Sequence, residues 1–190
     1  MTAPGRPARQ NEVRIVGGQW KRSKLPVADV PGLRPTPDRV RETLFNWLGQ
    51  DLSGWRCLDA FAGSGALGFE AASRGAAEVV LVERERQLVA ALNTVKQRLG
   101  AVHLRVETAD ALAWMARCAP ASFELIFIDP PFDAPLVEPA LALAQRLLVP
   151  QGFVYVEAGQ AVQPPLGFKL HRQARAGAVH FHLLQRAASP

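Results

Sequence analysis

From Trp55 onward, short apolar runs alternate with longer stretches of helical period, and few folds accommodate that rhythm. Residues 56–60, 78–82, 102–106, 123–128 and 153–156 read as strands. Between them, residues 66–73, 84–99, 109–118 and 136–148 read as helices, with Pro139 tolerable only because it falls in a first turn. Successive βαβ units of this kind demand an α/β fold, a parallel sheet with helices on both faces. The end of the chain breaks the pattern. Residues 168–173 and 179–184 flank Ala176-Gly177 as the arms of a hairpin, so the sheet is expected to finish in an antiparallel element.

The chain has 190 residues, 48% of them hydrophobic, enough for one compact domain with a sizeable core. No apolar stretch is long enough to span a membrane. Residues 1–14 are polar and basic and lack the apolar segment of a secretory signal. Cys57 and Cys118 are too few for a disulfide framework, and no histidine is grouped with cysteine at zinc spacing. A cytoplasmic monomer without a metal is the expectation.

Charge is unevenly spread. Residues 1–50 carry nine Lys/Arg against four Asp/Glu, residues 51–164 nine against thirteen, and residues 165–190 four against none. Basic ends on an acidic body form the electrostatic footprint of a protein that binds a phosphate backbone. Solvated arginines on an ordinary surface would give the same counts.

The first fifty residues read as a basic N-terminal extension, and residues 51–190 as the main domain. Residues 1–11, rich in Pro, Gly and Arg, are expected to be disordered. Residues 12–16 form a short strand stopped by Gly17-Gly18, and Trp20 follows among Lys21, Arg22 and Lys24. Thr36 is placed to cap a helix with Pro37 in its first position. That helix carries Val40, Leu44, Trp47 and Leu48 on one stripe, sets Arg39 on the other face, and closes at Gly49.

The first core strand runs into Asp59-Ala60-Phe61-Ala62-Gly63-Ser64-Gly65-Ala66-Leu67-Gly68, a glycine-rich turn that opens a helix. Gly63, Gly65 and Gly68 fit the G-x-G-x-x-G spacing of dinucleotide sites, and Glu83, at the end of the second strand, suits ribose hydroxyls. A nicotinamide or flavin cofactor is one reading. Asp59 argues for another, because a carboxylate beside the turn repels a pyrophosphate and attracts a cationic ligand such as S-adenosylmethionine. Asp110, after the third strand, is positioned either to accept from an adenine amino group or to cap the next helix.

The fourth strand ends in Asp129-Pro130-Pro131-Phe132. The prolines end ladder pairing and leave the Asp129 carboxylate and the Pro130 carbonyl as acceptors beside a ring that can stack. Two acceptors and a flat ring suit a planar base held by its amino group. A Pro-Pro turn with a buried Phe is the plainer alternative.

With these motifs the chain resembles the class I S-adenosylmethionine-dependent methyltransferases, in which an Asp/Asn-Pro-Pro-aromatic motif goes with an amino or amide nitrogen as methyl acceptor. It is more closely similar to the RsmD family of bacterial small-subunit (16S) ribosomal RNA guanine-N2 methyltransferases. Arg14-Ile15-Val16-Gly17-Gly18-Gln19-Trp20, the run from Leu33 to Leu48, residues 61–68 and the Ala176-Gly177 hairpin carry that likeness. The resemblance implies a Rossmann-like, doubly wound sheet of seven strands, mostly parallel with an antiparallel C-terminal hairpin, and an N-terminal extension over the RNA. It implies that Asp59, Phe61, Gly63, Ser64 and Gly65 hold the methionine end of S-adenosylmethionine, Glu83 its ribose, and Asp110 with Ala111 its adenine. Asp129, Pro130 and Phe132 fall at the target base, while Lys21, Arg22, Lys24, Arg34 and Arg39 are the candidate contacts to 16S ribosomal RNA, free or within an assembling subunit. Competing readings are an N6-adenine methyltransferase on DNA or RNA, a nicotinamide oxidoreductase, and a non-enzymatic RNA-binding assembly factor.

Overall fold

The computed structural model describes residues 12–28, 35–131 and 134–188, so the disorder expected for residues 1–11 falls outside it. The elements run β1 (Glu12–Arg14), β2 (Lys24–Pro26), α1 (Asp38–Leu48), β3 (Arg56–Asp59), α2 (Ala66–Ser73), β4 (Glu78–Glu83), α3 (Arg86–Leu99), β5 (Leu104–Thr108), α4 (Ala111–Arg117), β6 (Phe123–Ile128), α5 (Val137–Leu147), β7 (Leu148–Ala158), β8 (Phe168–Ala176) and β9 (Val179–Arg186). β1 and β2 form a small antiparallel pair, and β3 to β9 form one seven-stranded sheet in the order β5-β4-β3-β6-β7-β9-β8. β3 to β7 are parallel, and β9 lies antiparallel between β7 and β8. The α/β sheet with its antiparallel end is therefore as expected.

Two apolar layers sandwich the sheet. On one face α1, α2 and α3 bury Leu44, Phe45, Phe69 and Leu92 against Leu81, Phe127 and Tyr155. On the other, α4 and α5 bury Met115, Leu141 and Leu147 against Ile126, Ile128 and Val154. The inner strands β3, β4 and β6 are buried on both faces, which is why their sequences are continuous apolar runs.

Local chemistry shifts several boundaries. Val102 is 90% exposed, and β5 begins only at Leu104. β7 starts at Leu148 and continues to Ala158, two residues past the expected end. β2 was not foreseen; its three residues, with Leu25 alone buried, are too few to show a period, and they pair with β1 from Glu12↔Pro26 to Arg14↔Lys24. The helix start also differs. Pro37, not Thr36, is the capping residue of α1, and the Thr36 hydroxyl bonds elsewhere. Arg41 is fully buried and donates to Glu70, whose two oxygens also accept from Arg74 and from the backbone N–H groups of Val16 and Gly17. One buried carboxylate thus ties the N-terminal segment, α1 and α2 together.

Candidate active site

In an open α/β sheet, ligands bind beyond the carboxyl ends of the strands, where neighbouring crossovers leave in opposite directions. Here that point lies between β3 and β6, which pair from Cys57↔Leu125 to Asp59↔Phe127. Every strand entering this edge carries an acid: Asp59 after Leu58, Glu83 at the end of β4, Asp129 after β6 and Glu157 near the end of β7.

The glycine turn is shaped by packing as much as by conformation. Gly65 precedes α2 at φ +77°, and a Cβ there would sit 2.6 Å from Leu92 Cδ2 and 2.7 Å from the Phe69 ring. Gly68 lets α2 settle on the sheet, since a Cβ would come within 2.1 Å of Leu81 Cδ2. Gly63 donates its N–H to Glu83 Oε2 at 2.9 Å, and Glu83 Oε1 accepts from Arg84 and Glu85 N–H groups. Glu83 therefore holds the turn and the start of α3 at the place expected for a ribose. Ser64 and Phe61 are half-buried on either side of Ala62 and Gly63.

Asp59 is buried, and its Oδ2 accepts the Gly68 N–H at 3.0 Å. Burial pushes its carboxyl up to about 7; the Gly68 bond opposes that rise, and the charges of Glu83 and Glu157 add to it. Asp110 takes the capping role: its Oδ1 accepts from Ala113 N–H at 2.9 Å at the start of α4, beside buried Ala111.

Asp129 stands at the end of β6, next to buried Pro130. Its Oδ2 lies 3.4 Å from the Thr36 hydroxyl, which donates at 2.8 Å to Glu157 Oε1. The Tyr155 hydroxyl donates to the same Glu157 oxygen at 2.8 Å. Burial raises the Asp129 carboxyl well above the ordinary carboxylate range, with the charges of Glu157 and Asp59 adding to it. Burial also raises Glu157, against the two hydroxyl bonds that favour its charged form. Among the described residues no Lys or Arg pairs with Asp59, Asp129 or Glu157, although buried Arg41 and Arg74 are both paired. An electronegative cleft of this kind fits a ligand that carries positive charge.

Thr36, Tyr155 and Glu157 are site residues that sequence reasoning missed. One signal for Glu157 was present: it follows an apolar run as Asp129 does. Thr36 gave none, because a threonine before proline and a helix has an adequate local explanation.

The RNA candidates divide. Arg39 is exposed on the first turn of α1 and borders a groove of about 400 Å³, with Thr43, Ala174, Ala176 and Phe181, close to the Thr36 end of the cleft. Lys21, Arg22 and Lys24 are exposed in and beside β2; Lys21 borders a groove with Glu42 and Asn46 of α1, and no hydrogen bond or ion pair among the described residues links the three to the acid cluster. Gln19 is anchored to the carbonyl of Ser73 at the end of α2, and Trp20 stacks on His103 before β5. Lys24 pairs with Glu12 at 2.7 Å. Phe132 and Arg34 lie outside the described residues.

Comparison with known proteins decides the family. The sequence model described as conserved hypothetical protein 95 matches residues 13–185. Ribosomal RNA small subunit methyltransferase D of Escherichia coli K12 is 44% identical over 186 residues, covering 93% of this chain and 91% of its own. The chain belongs to the RsmD family. The Haemophilus influenzae member of the same name is 38% identical over 189 residues, covering 94% of this chain and 96% of its own. A solved Escherichia coli structure, described provisionally as a methyltransferase, matches with a TM-score of 0.84 at 42% identity, covering 94% of this chain and 100% of that one. In this RsmD-family chain the matched segment takes in β1, α1 and the hairpin β8–β9 as well as the central sheet.

Proposed function

We propose that this chain transfers a methyl group from S-adenosylmethionine to the exocyclic N2 of a guanine in small-subunit (16S) ribosomal RNA. The observation that carries the proposal is the facing of Asp129-Pro130, at the end of β6, with the glycine turn at the end of β3, across an acid cluster that no cationic side chain among the described residues neutralises. Family membership and the names of the relatives support the RNA substrate.

S-adenosylmethionine supplies an electrophilic methyl on a good leaving group. Its ammonium and sulfonium suit Asp59 and the acids around it, its ribose suits Glu83, and its adenine suits the free oxygen of Asp110 with Ala111. The turn formed by Phe61, Gly63, Ser64 and Gly65 would lie along its methionine end. The guanine amino nitrogen is a weak nucleophile, because its lone pair is delocalised into the ring. Asp129 and the Pro130 carbonyl accept its two hydrogens and aim the lone pair at the methyl carbon. Alignment of this type is worth up to ~7–11 kcal/mol in favourable systems. The N–C bond would form as the methyl's bond to sulfur breaks, leaving a neutral thioether and a cationic nitrogen, which Asp129 would stabilise before taking the proton and passing it to water. Phe132 is proposed to stack on the base for roughly 1–3 kcal/mol. The base must leave its helix to enter such a pocket.

The proposal includes a cytoplasmic monomer. Among the described residues no helix is long and apolar enough to cross a membrane. The decisive assay incubates the protein and methyl-labelled cofactor with naked ribosomal RNA and with small-subunit particles, then digests to nucleosides. N2-methylguanosine is expected. Label in N6-methyladenosine, or no label with either substrate, would overturn the proposal.

A further inference from the structure

Guanine presents two kinds of donor side by side on one edge: the N2 amino group and N1–H. Adenine presents its amino group beside a bare N1 lone pair. If Asp129 and Pro130 hold the amino group, a residue next to Asp129 meets either N1–H or the N3 lone pair, and an acceptor there is complementary to N1–H alone. That neighbour is Glu157. Ile128 pairs with Val156 in parallel register, so Asp129 and Glu157 occupy the next rung of adjacent strands, which run about 4.8 Å apart. Phe127 and Tyr155, two residues earlier, both face the α1 side, and the alternation of a strand puts Asp129 and Glu157 on that same face. The single Thr36 hydroxyl reaches both carboxylates, at 3.4 Å and 2.8 Å.

The Glu157 side chain is held firmly. Glu157 is 4% exposed, and its Oε1 accepts from both Thr36 and Tyr155. Its second oxygen has no partner among the described residues. A clamped carboxyl on the rung beside Asp129 thus keeps one oxygen without a partner among the described residues. Two hydroxyl donors on Oε1 oppose the rise that burial imposes on this carboxyl, and in its charged form it welcomes an N–H and repels a lone pair.

We infer that Glu157 is the specificity residue of this site, accepting the N1–H of the target guanine beside the amino group held by Asp129, so that adenine is rejected by repulsion between the Glu157 carboxylate and its N1. The inference rests on the proposed methylation of guanine N2. It gives Glu157 a role distinct from anchoring Thr36, and Thr36 and Tyr155 become positioning residues that act through it.

The test replaces the methylated guanine, once mapped, by 2-aminopurine, which keeps the C2 amino group but carries a lone pair at N1. It compares kcat/KM for the two bases in the wild type and in Glu157→Gln, whose amide can donate to that lone pair. Loss of O6 in the analogue affects both enzymes alike. The wild type is expected to prefer guanine by roughly 100-fold or more, as sites built around a substrate N–H do. In E157Q the preference is expected to fall at least tenfold. An unchanged ratio in E157Q, with guanine still methylated, overturns the role of Glu157 and leaves the proposed function standing. Failure of the wild type to methylate guanine at all overturns both. A wild-type ratio near one overturns the inference whatever the variant does. Should E157Q not fold, Glu157→Asp, whose carboxylate is withdrawn by one methylene, is expected to narrow the preference in the same direction.

Discussion

The chemistry proposed for this chain rests on single residues at the carboxyl ends of β3 and β6, and those were the most legible in the sequence. Asp59, the glycines and Asp129 are explained by their immediate neighbours, so local reasoning found them. Thr36, Tyr155 and Glu157 meet only in the folded protein; Thr36 and Glu157 bond across 121 positions, and no local pattern encodes that. Asp59 gives a test in the cofactor-free protein. Its carboxyl stands at about 7 when folded, against an ordinary 3.8, so between those values the folded chain keeps a proton that the unfolded chain has lost. Stability from this group is therefore intact below about pH 4 and falls as pH rises toward 7, by up to about 4 kcal/mol. Asp59→Asn keeps an acceptor for Gly68 and cannot ionise. Thermal melts should show the variant gaining on the wild type as pH rises from 5 to 8. A gap that does not change with pH would contradict the assignment.

At the scale of elements, helices and inner strands were readable because period and apolar runs coincide with burial. β2 escaped because three residues, Lys24–Pro26, with Leu25 alone buried, are too few to show a period. The end of β7 escaped because Glu157 is a buried acid in a position where sequence reasoning ends a strand. The sequence set Arg41 on a helix with no assigned partner, whereas the fold commits it to Glu70 in a network that joins α1 to α2. Breaking a buried pair leaves an uncompensated charge, and Arg41→Ala should cost about 3 kcal/mol or more in urea unfolding. A loss below about 1 kcal/mol would show that α1 is held by its apolar face alone. Gly68→Ala should destabilise for a different reason, since the added methyl collides with Leu81. A cost of roughly 1–3 kcal/mol is expected from the same unfolding measurement, and a neutral result would mean α2 shifts freely on the sheet.

Across the whole molecule, the order of strands was not legible from residue patterns, because apolar runs do not state their neighbours; the resemblance implied seven strands in a doubly wound, mostly parallel sheet, and the fold supplied their order. The charge counts foresaw a basic N-terminal extension but not how its charges divide, with Arg39 bordering a groove near Thr36 and Lys21, Arg22 and Lys24 on the segment that docks on the end of α2. An RNA that touches both must run along the flank of α1 and α2. Arg39→Glu should lower kcat/KM and flatten the salt dependence of RNA binding by about one phosphate contact, whereas Lys21→Glu should flatten the slope alone. An unchanged slope in Lys21→Glu removes that end from the RNA surface. The central claim is that the acceptors at the end of β6 hold the methyl-accepting nitrogen while the turn after β3 holds the cofactor. Asp129→Ala separates the two most directly, with single-turnover methyl transfer and calorimetric cofactor affinity measured on one preparation. Transfer should drop at least a hundredfold, the size of a lost transition-state contact, while cofactor affinity stays within about threefold. Retained transfer, or a parallel collapse of cofactor binding, would contradict that division of labour.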